Sequence, residues 1–223
     1  TDTGQRSGLQ FAGFHLYAGS QNLRGEAIAE AQRLSYALIC RLADDAPAPV
    51  RSINLGGGFG IPYFPGEQRL QLDPVRSALD AIVADAAQRF PQAELQLELG
   101  RYLVGEAGVY VTRVVDVKVS RGHTFVVTDG GLNHHLAASG NFGQVLRKNY
   151  PVAIGTRMNE AGTGPAVSVV GPLCTPLDLL ADHVHIGSPA VGDLLVIFQS
   201  GAYGASASPS AFLGHVPAEE RLL

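Results

Sequence analysis

Apolar positions in the first half of the chain alternate between two periods. Leu9 to Tyr17 reads as a buried strand, and Arg24 to Leu42 then sets Ala27, Ile28, Ala31, Leu34, Leu38 and Ile39 at the three-and-four spacing of a helix face. Val50 to Leu55 forms a second apolar run and ends in Gly56, Gly57 and Gly58. Asp73-Pro74 is a helix start signal, an N-cap residue followed by proline at the first helical position, and Val75, Leu79, Ile82, Val83 and Ala86 line one face after it. Glu94 to Glu98 then alternates polar and apolar residues as a third strand. The order β-α-β-α-β demands parallel strands joined by crossover helices.

The pattern changes near Gly108. From Val109 onward, β-branched runs (Val109 to Val119, Thr124 to Thr128, Ala166 to Val170, Asp193 to Gln199) are separated by Gly, Pro, Asn and Asp, with no long helical period. The expected architecture is therefore α/β over residues 1–107 and a mainly antiparallel β-domain, sandwich or barrel, over residues 108–223. Three parallel strands with two helices leave two sheet edges and one face uncovered, so the first part reads as a portion of something larger.

Composition narrows the function classes. The 223 residues carry 16 basic and 20 acidic side chains, a formal net charge of -4, so no basic surface is available for nucleic acid. The longest apolar runs, such as Leu194 to Phe198, fall far short of the roughly 20 residues that span a bilayer. Thr1 to Arg6 lacks a basic segment followed by an apolar stretch, so no signal peptide is expected. Cys40 and Cys174 make no disulfide framework, which points to a reducing, cytoplasmic setting.

The 27 glycines carry more information by position than by number. Gly19-Ser20 follows the first strand, Gly56-Gly57-Gly58-Phe59-Gly60 the second and Gly100-Arg101 the third. All three clusters lie at carboxyl ends of parallel strands, where α/β folds bind ligands. Glycine there admits backbone N–H groups to an anion, and Ser20 and Arg101 add donors, so a phosphate is the economical ligand; ordinary turns are the plain alternative. Neither G-x-G-x-x-G nor a Walker-type motif occurs. Glu98 at the third strand's mouth suits a general base, a metal ligand, an acceptor for a cationic ring nitrogen, or a structural ion pair.

The β half adds Asp129-Gly130-Gly131, Gly171-Pro172-Leu173-Cys174 and Gly201-Ala202-Tyr203-Gly204. Cys174 is either a functional thiol or, as lone cysteines more often are, a small buried hydrophobe. Tyr203 presents its hydroxyl to a ligand or only packs. Beside His134-His135 and His183-x-His185 no third ligand stands at zinc-like spacing, so no metal is expected. No G-x-S-x-G elbow supports serine hydrolysis.

Taken in order, these segments resemble the fold-type III pyridoxal-phosphate decarboxylases, the group of diaminopimelate, ornithine and biosynthetic arginine decarboxylases. The matching stretches are Gly13 to Gln21, Asn54 to Gly60, Glu98 to Tyr102, Asp129 to Gly131, Gly171 to Cys174 and Gly201 to Gly204. The wording from Asp129 to Leu136 and from Cys174 to Asp178 looks most like the decarboxylases of exosortase and exopolysaccharide clusters. The resemblance implies a (β/α)₈ barrel followed by a β-domain, pyridoxal 5'-phosphate at the barrel mouth, and an active site shared across a homodimer. It implies that Ser20, Gly56, Gly57, Gly58, Gly100 and Arg101 hold the cofactor phosphate with Tyr203, that Glu98 meets the pyridine nitrogen, and that Tyr17 stacks on the ring. It further implies that Cys174, from the partner subunit, returns a proton, with Thr175 beside the substrate.

Three positions depart from that pattern. Tyr17 replaces a stacking histidine, with His15 at a neighbouring position; Thr175 replaces an acidic residue; Ala137-Ala138 replaces an Arg-Pro pair that grips a distal carboxylate. Neither a diamino diacid nor a simple cationic amino acid is favoured as substrate. The family's Schiff-base lysine has no counterpart, because Lys118 lies in a β-domain strand and Lys148 in a polar turn, and the chain has no other lysine. The expectation is thus an amino-acid decarboxylase represented by its C-terminal part, inactive alone. A non-catalytic phosphate-ligand or assembly module of the same fold is the alternative, with a sugar-phosphate barrel enzyme behind it.

Overall fold

The computed structural model describes residues 8–142 and 147–223. The chain divides into two compact units, one of Thr1–Pro62 with Glu67–Leu103 and one of Tyr63–Gly66 with Val104–Leu223.

The first unit holds β1 (Gly13–His15), α1 (Gly25–Ala43), β2 (Ser52–Gly57), α2 (Asp73–Arg89) and β3 (Glu94–Glu98), and the short α3 (Arg101–Val104) follows. The strands form a parallel sheet in the order β1-β2-β3. Ile53 and Leu55 of β2 pack with Tyr36, Ile39, Cys40 and Ile82 of the helices in one buried cluster. Both outer strands pair on one side only within the described sheet, as the strand count anticipated.

Three local readings need correction. β1 is shorter than the Leu9 to Tyr17 run, because Ala12 O accepts from both Arg51 N and Ser52 N and the regular ladder begins only at Gly13. Leu34 and Val83 face outward at 65% and 51% exposure, while α1 buries Gln32, Ser35, Tyr36 and Ile39. Leu34 stands two residues from both Gln32 and Tyr36, about 200° round the helix from each. Asp73 does not cap α2: Leu72 occupies that position in helical conformation and makes no side-chain cap. Pro74 does sit in the first turn, where its missing N–H costs no hydrogen bond.

The second unit holds β4 (Tyr110–Ser120), β5 (His123–Thr128), β6 (Val152–Ile154), β7 (Ala166–Val170), β8 (Leu179–His185) and β9 (Leu194–Ile197) in one sheet of order β6-β9-β4-β5-β7-β8. Arg121 and Gly122, both at positive φ (51° and 79°), turn β4 into β5, the backbone that two-residue hairpins prefer. The sheet is mixed, because β5 and β7 run parallel; the long connection from Thr128 to Ala166 is what allows a parallel return. Val114, Val126, Ile154, Leu180, Leu195 and Ile197 are fully buried. Strands β6 and β8 were not legible: β6 has three residues, and the alternation in β8 breaks at Asp182-His183.

Candidate functional site

In the first unit, the three strand mouths meet at the glycine run. A Cβ on Gly57 would lie 1.8 Å from Glu98 O, one on Gly58 2.0 Å from Gly19 O, and one on Gly56 2.6 Å from Leu16 O. These glycines therefore bring the backbones of the three strand ends together, and they do so by contact with backbone oxygens. Gly19 and Gly100 differ: a Cβ on either meets nothing within 4 Å. They border open space, which is where a ligand has room.

Polar side chains are arranged around that space. Asn54 Nδ2 donates to Glu98 Oε1 at 2.9 Å, and its Oδ1 accepts from Gly56 N at 2.8 Å, so one buried amide ties the glycine turn to the carboxylate. His15 Nε2 lies 3.2 Å from Glu98 Oε2. Glu98, at the end of β3, is thus held by one side chain from β2 and one from β1, with its own side chain half exposed. Arg101 Nη1 donates to Gln21 Oε1 at 3.4 Å, and Gln21 Nε2 donates to Ile61 O at 2.6 Å. A cavity of about 250 Å³ opens beside Gly19, Ser20, Gly57 and Gly58 and reaches the first turns of α1. That helix starts without a side-chain cap, leaving its first N–H groups available. Tyr17 is 65% exposed. His15, Asn54 and Gln21 were missed as site residues; a polar Asn54 inside the buried run Ile53-Leu55 was the available signal.

In the second unit, Asp178 joins two glycine loops. It is buried, its Oδ1 accepts from Leu132 N at 2.7 Å and its Oδ2 from Leu173 N at 2.8 Å. A Cβ on Gly131 or on Gly171 would lie within 2.3 Å of that carboxylate. The Asp129-Gly130-Gly131 and Gly171 to Cys174 motifs are therefore one structure, with Asp178 between them. Cys174 is exposed, against the buried alternative, and Thr175 Oγ1 accepts from Leu177 N at 3.3 Å. Alkylation of the native chain by iodoacetamide is expected to modify Cys174 within minutes and to reach buried Cys40 only on unfolding; peptide mass mapping reads both. Tyr203 sits at positive φ (57°) with its ring 5.5 Å from that of Phe142.

The paired histidines lie in a turn after β5. His134 Nδ1 meets the Tyr110 hydroxyl at 3.1 Å, and burial pushes that phenol's pKa up. His135 is fully buried between Tyr110 and Tyr150, its Nε2 has no partner, and burial lowers its pKa to about 4. The unfolded imidazole, near 6.5, binds its proton first as pH falls. Stability is therefore intact above pH 6.5 and declines between 6.5 and 4, by about 2 kcal/mol at pH 5. Urea unfolding at pH 7.5 and 5 checks the loss, and His135→Phe should remove most of it.

The two units define a class: an α/β unit whose strand mouths converge on glycines beside open space, followed in the chain by a mixed sheet with an exposed thiol in one of its loops. The family model for the pyridoxal-dependent decarboxylase C-terminal sheet domain matches residues 16–201. The chain belongs to that family. It is 41% identical over 209 residues to the L-glutamyl-[BtrI acyl-carrier protein] decarboxylase of Niallia circulans, covering 92% of this chain and 49% of that protein. It is 31% identical to the diaminopimelate decarboxylase of Thermoplasma acidophilum, covering 92% of this chain and 46% of that protein. Among solved structures, diaminopimelate decarboxylase from M. jannaschii in co-complex with L-lysine superposes with a TM-score of 0.75 at 25% identity, over 92% of this chain and 45% of the other. The chain spans about half the length of the curated relatives it matches. No helix among the described residues is long and apolar enough to cross a membrane.

Proposed function

We propose that the whole protein is a pyridoxal-phosphate-dependent amino-acid carboxy-lyase, to which this chain contributes the cofactor cradle and the β-domain. The observation that carries this reading is the joint placement of Glu98, pinned by Asn54 and His15, with open space at Gly19 and Gly100 in a chain of that family. The donor set of the first unit fits the cofactor: Ser20, Arg101 and the backbone at Gly19, Gly57 and Gly58 would hold its phosphate, with Tyr17 covering the ring. When bound, pyridoxal phosphate supplies an electron sink for the pair left by departing CO₂.

The chain's own residues prepare the rest. Glu98 offers a carboxylate oxygen to a protonated ring nitrogen, and Asn54 and His15 fix its rotamer so that no reorganisation is needed. The Cys174 thiol stands at an exposed position, and Asp178 holds the loop that presents it. The cofactor's amine anchor is not supplied by the α/β residues 8–103, which contain no lysine; Lys118 lies on β4, and Lys148 stands 4.8 Å over the Phe64 ring.

The finer parts of the reading are a (β/α)₈ barrel in which residues 1–107 supply the last strands, a β-domain over 108–223, and a homodimer whose partner brings Cys174 and Thr175. A reducing cytoplasmic setting is supported by two unpaired cysteines. The exosortase and exopolysaccharide association rests on the wording of two motifs. Thr175 and Ala137 offer no charge to a substrate's distal group, and the similarity to a glutamyl-carrier decarboxylase favours an acyl-linked or neutral side chain over a diamino diacid. Loading the full-length gene product with pyridoxal phosphate and screening free amino acids and a carrier-bound glutamyl thioester for CO₂ tests this. Release from at least one substrate, lost in Cys174→Ala, is expected; cofactor uptake with no release from any would leave the non-catalytic module.

A further inference from the structure

We propose that the second unit carries a divalent metal site formed by His123, Asp182 and His183, suited to an ion of borderline softness such as Zn²⁺. Sequence spacing hides it, because the third ligand comes from a strand about sixty positions away. Thr124 pairs with Val167 and Phe125 with Ser168, which sets the start of β5 alongside the middle of β7. On the other side of β7, Val167 pairs with Val184 and Val169 with Ala181. Ser168 alone therefore opposes both Asp182 and His183, which is a β-bulge.

The bulge matters for side-chain direction. On a regular strand Asp182 and His183 would point to opposite faces. Here His183 adopts φ 51°, a left-handed conformation uncommon for residues other than glycine, and its Nδ1 comes to 2.8 Å from Asp182 Oδ1. Ser168, buried, donates to Asp182 Oδ1 at 2.5 Å, and its Oγ lies 2.9 Å from His123 Nε2. The two imidazole rings face each other with centroids 4.7 Å apart. One donor atom from each of the three residues lies within 4.8 Å of the others.

Two imidazoles and one carboxylate are the donor set of open zinc sites, with a fourth position left for water. Ser168 orients two of the ligands at once, as outer hydrogen-bond partners of metal ligands do. Arg147 donates to the carbonyls of Ser139 and Leu179, and its charge also acts on Asp182, so it competes with a bound cation and weakens the site. Unlike His134-His135, which lie in a turn, this group is held by a backbone irregularity, and the residue at positive φ is itself a ligand.

The test is titration of the tag-free, chelator-stripped full chain with Zn²⁺, followed by heat and, with Co²⁺ as a second probe, by visible absorbance. One ion per chain is expected. His123→Ala and Asp182→Asn should each weaken binding by about tenfold or more, and His215→Ala should leave it unchanged. His183→Gly is the sharper variant: it should abolish binding while leaving the metal-free chain at least as stable, since it relieves the left-handed imidazole. No heat with Zn²⁺ would overturn the site, as would equal affinity in His123→Ala and Asp182→Asn. Circular dichroism of each metal-free variant separates lost binding from lost fold, and no step depends on the decarboxylase reading.

Discussion

Asp178→Ala is expected to destabilise the second unit by about 4 kcal/mol. The carboxylate is buried and accepts from Leu132 N and Leu173 N, which belong to different loops. Truncation leaves both N–H groups buried without an acceptor, at about 1–3 kcal/mol each. Water has little room to replace them, because Gly131 and Gly171 already press against the carboxylate. Asp178→Asn keeps the shape but turns one acceptor into a donor facing an N–H, and should cost roughly half as much. The chain has no tryptophan, so far-ultraviolet circular dichroism in urea is the suitable readout. Cys174 alkylation should accelerate in Asp178→Asn, since Leu173 loses its anchor one residue away. A loss below about 1 kcal/mol in Asp178→Ala, with unchanged Cys174 reactivity, would show that the two loops hold themselves.

The sequence made the regular parts of the fold legible and the joints illegible. The crossover pattern of the first unit follows from local period alone, because β2, α1 and α2 each bury a face over several turns or residues. The end of β1 depends on Ala12 O accepting from two residues of the neighbouring strand, which no local pattern encodes. In the second unit, β8 is obscured by the same bulge that aligns Asp182 with His183. The site shows the same division. Gly19, Ser20, Glu98 and Arg101 are legible as candidates from their place at strand ends, whereas His15, Asn54 and Asp178 act through partners 83, 44 and up to 46 positions away. The glycine run stands at the strand mouths as expected, but the close approaches that require Gly56, Gly57 and Gly58 are to backbone oxygens across the mouth.

That distinction yields a paired prediction with opposite outcomes at neighbouring glycines. In Gly57→Ala the new methyl falls 1.8 Å from Glu98 O, a backbone atom that moves only if β3 moves with it. The expected cost is about 3 kcal/mol or more, at the upper end of overpacking, read as a lowered thermal midpoint of the first unit. Cofactor affinity should fall with it, because Glu98 is displaced. In Gly100→Ala the methyl meets nothing within 4 Å. Stability should stay within about 0.5 kcal/mol, as for open surface changes, while the space beside Arg101 is filled. If the cofactor phosphate enters that space, pyridoxal-phosphate affinity, followed by quenching of tyrosine fluorescence in the full-length protein, should drop about tenfold, the equivalent of about 1.4 kcal/mol. Unchanged affinity in Gly100→Ala would move the phosphate toward Gly19 and Ser20, whereas a normally folded Gly57→Ala would remove the close approach on which the glycine run's structural role depends.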